Sequence, residues 1–222
     1  MKELLDYYLR LSQNNNKPWF DEHRAEYEAS KRAIESFAEA FINGVAEFDH
    51  RCKGLKPKDC TYRINRDIRF SLDKRPYKDW HGVYVCPNGK KSGMAGYYIH
   101  FEPANGLYFL CGGLYNPSKE VLKSVREQIS LEPEEFHNAV MECGDGYKLD
   151  WENALKRMPS GFKESDPHSE YYRLKSYELC KPLTEEDVLD KNFLPKALDS
   201  LRHCHRLNEW LNRCFDYANG ID

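Results

Sequence analysis

Ala95-Gly96-Tyr97-Tyr98-Ile99-His100-Phe101-Glu102-Pro103-Ala104-Asn105-Gly106-Leu107-Tyr108-Phe109-Leu110-Cys111-Gly112-Gly113 decides the fold. Tyr97, Ile99 and Phe101 alternate with Tyr98, His100 and Glu102, the period of a strand that is apolar on one face and polar on the other. A second strand is expected over 106–113, and the turn-rich Ala104-Asn105-Gly106 joins the two. A link that short pairs neighbouring strands antiparallel. Further strands are expected near 81–86, ahead of Pro87-Asn88-Gly89, and near 175–181. Upstream, Tyr62, Ile64, Ile68 and Phe70 alternate with Arg63, Asn65, Asp67 and Arg69, which predicts a strand over 62–70. Arg66 falls on its apolar side, requiring a bulge or an inward-reaching guanidinium.

Helical periodicity flanks this middle third. Leu4, Leu5, Tyr8 and Leu9 predict a helix over 2–13, ended by Asn14-Asn15-Asn16. Pro18 in a first turn, with Asp21 and Glu22 behind it, opens a second helix running to about 49. Asn116-Pro117 reads as a cap and first turn, followed by Val121, Leu122, Val125 and Ile129 on a buried face. Helix returns over 132–141, Thr184-Glu185-Glu186-Asp187 reads as a capping box, and one long helix is expected over 192–217. The fold class is α+β: a mainly antiparallel sheet from the middle of the chain, covered by N-terminal and C-terminal helices. No linker divides the chain, so 1–222 is read as a single domain.

Composition narrows the function classes. A net charge of −3 argues against wholesale nucleic-acid binding. No apolar run reaches the ~20 residues that span a bilayer, and acidic residues interrupt the N-terminus where a signal peptide needs an apolar core. No membrane partner and a cytoplasmic location are the expectations. The eight cysteines contain no Cys-x-x-Cys pair, so free buried thiols are expected, with no metal and no cofactor. His203-Cys204-His205 does not change this, because adjacent helical residues point about 100° apart.

Charge concentrates in Arg63-Ile64-Asn65-Arg66-Asp67-Ile68-Arg69-Phe70-Ser71-Leu72-Asp73-Lys74-Arg75-Pro76-Tyr77-Lys78, six cations against two carboxylates. Such density is costly to order unless the groups pair with each other or with an anion. One reading places Arg63, Arg69, Lys74 and Lys78 around a small phosphate- or carboxylate-bearing ligand, using the planar fork of Arg and the mobile charge of Lys. Asp67 and Asp73 would orient the arginines, and Arg66, Tyr77 and Tyr98 complete the binding candidates. If the polar face of 96–102 adjoins this segment, His100 and Glu102 are the candidate acid–base pair. A second reading makes Arg66–Asp67 and Asp73–Lys74 an internal ion-pair network that pins a loop. A third is a non-catalytic domain docking an acidic protein or a nucleic-acid backbone. Oligomeric state is not encoded in any pattern.

Several blocks resemble the DUF2461 family of uncharacterised proteins. They are Asn14-Asn15-Asn16-Lys17-Pro18-Trp19-Phe20-Asp21-Glu22-His23-Arg24 with Tyr27, Arg63 to Lys74 with Pro76-Tyr77-Lys78, and Gly96-Tyr97-Tyr98-Ile99-His100-Phe101-Glu102-Pro103. Gly112-Gly113-Leu114-Tyr115-Asn116-Pro117 and Pro159-Ser160-Gly161-Phe162 follow in order. The resemblance runs over nearly the whole chain and implies no particular activity, cofactor or catalytic residue. Gly112-Gly113 lacks the Walker and three-glycine fingerprints, so a plain tight turn is the expectation there. Trp19, Phe20 and His23 read as core and cap.

Overall fold

The computed structural model describes residues 1–221. Helices α1 (Lys2–Gln13), α2 (Lys17–Glu22), α3 (Arg24–Ala46) and α4 (Pro57–Cys60) precede strands β1 (His81–Val85), β2 (Gly96–Glu102) and β3 (Leu107–Leu114). Then come α5 (Lys119–Leu131), α6 (Pro133–Glu142), β4 (Lys148–Leu149), β5 (Tyr177–Leu183), α7 (Glu185–Leu189), α8 (Phe193–Arg202) and α9 (His205–Ala218). The sheet runs β1-β2-β3-β5-β4 with every pair antiparallel. The α+β class with helices from both ends of the chain is therefore what the sequence predicts.

Register sorts the sheet into two unlike faces, because residues paired across a ladder point the same way. Val83, Ile99, Leu110 and their neighbours Val85, Tyr97 and Phe101 lie under the helices and are buried. Leu4, Leu11, Ile34, Phe41 and Val45 of α1 and α3 share their cluster. Beyond it, Trp210 and Leu211 of α9 pack with Val125, Phe136 and Tyr177. The opposite face carries Tyr84, Tyr98, Phe109, Glu178 and Cys180, all half-buried.

Local chemistry explains where the expected elements break. Asn16 caps α2 by accepting from the Trp19 N–H, but His23 leaves helical geometry (φ −99°, ψ 24°), its ring stacked 4.0 Å from Trp19. The single helix expected from Pro18 to about 49 is thus two, ending at Ala46. The cap of α5 is Ser118, whose side chain accepts from Val121, and not Asn116, which takes a positive φ. The expected capping box of α7 is present between Thr184 and Asp187. The expected last helix divides at His203–Cys204, where Cys204 lies directly over Gly112. Gly112 and Gly113 lie inside β3, so no tight turn occurs there.

The strand expected over 62–70 does not form. Thr61 makes one bridge to Val83 and Asn65 one to Tyr77, and Arg66 and Lys78 donate across this narrow neck to Pro76 and Ile64 carbonyls. Between the neck residues the chain is a loop. Asp67 accepts from the Arg69 N–H and Asp73 from the Arg75 N–H, side-chain turns two residues long that compete with ladder pairing. Six cysteines are free and buried, as expected of all eight, but Cys111 and Cys180 form a disulfide between β3 and β5. Among the described residues no helix is long and apolar enough to cross a membrane.

Candidate functional site

A cleft of about 800 Å³ opens between α1, α3 and the outer edge of β1. Three local features build it. Tyr27, Lys31 and Glu35 recur every four residues along one side of α3. The Thr61–Val83 bridge lays Thr61, Tyr62, Arg63 and Ile64 beside β1. The turn after Gly89 brings Lys90 and Lys91 to the same place, anchored by the Lys90 N–H to the Asp59 carbonyl.

The lining holds six cations, Lys31, Lys58, Arg63, Lys78, Lys90 and Lys91, and one carboxylate, Glu35. Lys31 stands 4.0 Å from Glu35; the other five have no carboxylate partner within salt-bridge distance among the described residues. Lys78 gives its Nζ to the Arg63 carbonyl at 2.8 Å and sits over the rings of Tyr62 and Trp80. Burial pushes the Lys78 ammonium below its ordinary pKa, and the nearby Arg63 adds to the effect. Burial likewise lowers Lys90, whose Nζ donates to the Lys58 carbonyl. Both ammonium groups are partly desolvated and are met by backbone carbonyls rather than by carboxylates, an arrangement that an entering anion relieves.

His81 closes the floor with Tyr8, whose ring meets it edge-on at 5.9 Å. Burial pushes its pKa down to about 4, with Lys78 and His100 lowering it further and the Gly82 hydrogen bond opposing. Nδ1 lies 3.1 Å from the Gly82 carbonyl, which only accepts, so the proton sits on Nδ1 and Nε2 is an acceptor. The site thus combines fixed positive charge, aromatic walls and one neutral acceptor.

The residues picked out in the sequence scatter over four places. Arg63 and Lys78 line the cleft. Arg66, Asp67, Arg69, Asp73 and Lys74 belong to the loop, where all but Lys74 pair internally. Arg66 and Arg75 share Asp73, Arg75 also reaches Asp79, and Arg69 grips Asp67. Lys74 donates to the Ile68 carbonyl. Hydrogen bonds from Arg75 and Arg66 hold the Asp73 carboxyl well below the usual carboxylate range. Tyr77 is buried, stacked on Phe20 at 4.1 Å, with its backbone clasped by Asn15 in both directions.

Tyr98, His100 and Glu102 lie on the other face of the sheet from His81, since His81 pairs with Phe101 and Gly82 with His100. They form a chain of their own: Tyr98 Oη to His100 Nδ1 at 2.8 Å, and His100 Nε2 to Glu102 at 3.2 Å. Phe109 stacks on the His100 ring at 4.5 Å, and burial lowers the His100 pKa against the pull of Glu102. His100 meets the Arg/Lys-rich segment at its end only, through Trp80, whose ring lies 5.3 Å from His100 and beneath Lys78; Arg63 lines the cleft, while Arg69 and Lys74 are held in the loop's own contacts. Lys31, Lys58, Lys90, Lys91, Tyr8, Tyr27 and His81 were not legible as a site. Only Lys90-Lys91, behind an Asn-Gly turn, carried a local signal.

The loop also holds two large apolar side chains in full solvent, Phe70 at 96% and Leu72 at 102% exposure. With no packing against the body to lose, and only the exposed Arg69 guanidinium over the Phe70 ring, Phe70→Ala and Leu72→Ala each change the unfolding free energy by less than about 0.5 kcal/mol in urea melts. A loss above about 1 kcal/mol in either variant means that the loop packs against the body.

Comparison with curated proteins and with solved structures returns no match. The family model described as conserved hypothetical protein DUF2461 matches residues 3–210, nearly the whole length, and the chain belongs to that family.

Proposed function

We propose that the chain binds a small multiply charged anion, bearing phosphate or carboxylate groups, in the cleft between α3 and the β1 edge. The observation that carries this reading is five cations without carboxylate partners, among the described residues, around one concave space. A structural ion-pair network would bring its own carboxylates, as the neighbouring loop does with Asp67, Asp73 and Asp79. Arg63 supplies a planar fork for two anion oxygens. Lys78 and Lys90, both half-buried, supply charge where it is less screened than in open water. Tyr62, Tyr27 and Tyr8 offer flat apolar walls for the rest of the ligand, and His81 Nε2 accepts a hydrogen bond from a hydroxyl or amine on it.

The reading includes no reaction. The test is a thermal-shift and calorimetric screen of the full chain with pyrophosphate, phosphorylated sugars, nucleotides and dicarboxylates. A ligand at one hundred times its dissociation constant stabilises by about 2.7 kcal/mol, about 5–11 °C in Tm for a chain of this size. Charge-assisted hydrogen bonds are worth about 1.5–3 kcal/mol. Lys78→Met and Arg63→Gln therefore each weaken binding by about 10-fold or more, while Lys74→Met, on the loop, leaves it unchanged. Binding that survives both cleft variants, or the absence of any shift across the panel, overturns the proposal.

A further inference from the structure

The half-buried face of the sheet carries a second cluster, remote in chemistry from the lysine cleft and independent of it. Cys111 on β3 and Cys180 on β5 are directly paired across the ladder, and Glu178 precedes Cys180 by one strand period, on the same face. One carboxylate oxygen of Glu178 and the two sulfurs all lie within 4.8 Å of one another, the one such trio of potential metal donors among the described residues. Glu178 is paired in register with Gly113, so no side chain of β3 stands between the carboxylate and Cys111. Among the described residues the Glu178 carboxylate has no hydrogen-bond donor and no ion-pair partner, and its side chain is half-buried. A half-buried carboxylate without a partner is partly stripped of water and uncompensated. Something positive fits beside it.

We propose that reduction of the Cys111–Cys180 disulfide opens a site for a thiophilic divalent cation, zinc being the natural occupant, held by both sulfurs and the Glu178 carboxylate. Two molecules of a monothiol such as glutathione supply the two electrons. The S–S bond breaks, each cysteine sulfur gains a hydrogen, and the monothiols leave joined as their own disulfide. Zinc then displaces the two thiol protons to solvent. Two thiolates select a soft cation over magnesium or calcium. Three protein ligands leave the fourth tetrahedral position to water, the pattern of an open rather than a closed zinc site. Tetrahedral zinc needs its sulfurs about 3.8 Å apart at Zn–S distances of about 2.3 Å. Rotation about the two freed Cα–Cβ bonds supplies that separation, while the paired strands hold the backbones in place. The disulfide and the metal are therefore alternatives at one position: the oxidised chain is closed to the cation and the reduced chain open.

Cobalt(II) is the probe, because thiolate ligation gives a near-ultraviolet charge-transfer band and tetrahedral geometry an intense visible band. The full chain, reduced with a phosphine and desalted without oxygen, is expected to take up one equivalent with both bands, and zinc to displace it. The oxidised chain, with the disulfide verified by mass, is expected to show neither band. Cys180→Ser loses the site. Glu178→Gln keeps both thiols and the shape of the side chain, and is expected to weaken cobalt binding at least 10-fold. It tests the set even if the cysteine variant fails to fold. Two results overturn the proposal: no bands in the reduced wild type, or undiminished binding in Glu178→Gln. The latter would assign the metal to other thiols, such as Cys143 and Cys204 beneath the helices.

Discussion

Gly113→Ala is expected to lower the unfolding free energy by about 2–6 kcal/mol, with backbone strain and overpacking each contributing about 1–3. Gly113 takes φ +132°, and a Cβ built there meets the Tyr177 carbonyl oxygen at 2.2 Å and the Glu178 Cα at 2.5 Å. Both are backbone atoms of the paired strand β5, so no rotamer change moves them aside. The next residue provides contrast. A Cβ on Gly112 meets the Cβ and Sγ of Cys204 at 2.4 and 2.7 Å, at the break between α8 and α9, where a helix end can shift. Gly112→Ala should therefore cost about 1–3 kcal/mol. Gly106→Ala is the control: φ is +60° but nothing lies within 4 Å, which leaves only the left-handed conformation to charge for, about 1 kcal/mol. The three are compared by urea unfolding. A Gly113→Ala chain no less stable than Gly106→Ala would mean that the β3–β5 register is not as described.

The same pair of glycines marks the limit of what the sequence makes legible. Two adjacent glycines before a helix look like a turn, because a turn is the commonest local use of glycine. Here both serve contacts distant in sequence: with Cys204 above the sheet and with Tyr177 across it. Local signals that act through the backbone nearby were read well. The β2–β3 hairpin, the Thr184 capping box and the Pro18 first turn all lie where periodicity and capping chemistry put them. The alternation over 62–70 misled because apolar residues imply burial only where the chain returns to something apolar. Phe70 finds no apolar surface and stays in solvent beside Arg69. The arginines of that segment looked like ligand groups for the same reason that they pair with Asp67, Asp73 and Asp79: density of charge is visible in sequence, and its partners are not. The cleft was the hardest part to see. Its cations come from α3, α4, the chain before β1 and the turn after it, and no window contains more than a few of them.

Two titratable groups, the buried His81 and the half-buried Glu178, oppose each other across the acid range, and removing one exposes the other. Burial pushes the Glu178 carboxyl up to about 7 from an ordinary 4.5, with Asp150 adding to it. Burial pushes His81 down to about 4 from 6.5, and Lys78 and His100 act in the same direction. For Glu178 the folded chain holds its proton more tightly than the unfolded one. Its contribution is complete below pH 4.5 and is lost as the pH rises through 7. For His81 the unfolded chain holds the proton more tightly. Its contribution is complete above pH 6.5 and is lost as the pH falls toward 4. Each displacement corresponds to about 3 kcal/mol at full value, and partial exposure of Glu178 reduces its share to about 2. Between pH 4.5 and 6.5 the two slopes cancel in large part, so the wild-type chain keeps a nearly level stability from this pair. Glu178→Gln removes only the loss at high pH. With the disulfide intact and a chelator present, the variant is expected to melt about 4–8 °C above wild type at pH 8. At pH 4.5 it should match wild type, and from pH 6.5 downward it should show the unmasked fall due to His81. An increase in Tm of the same size at both pH values would mean that the carboxylate is unfavourable in shape rather than in charge. No increase at pH 8 would mean that water reaches it freely.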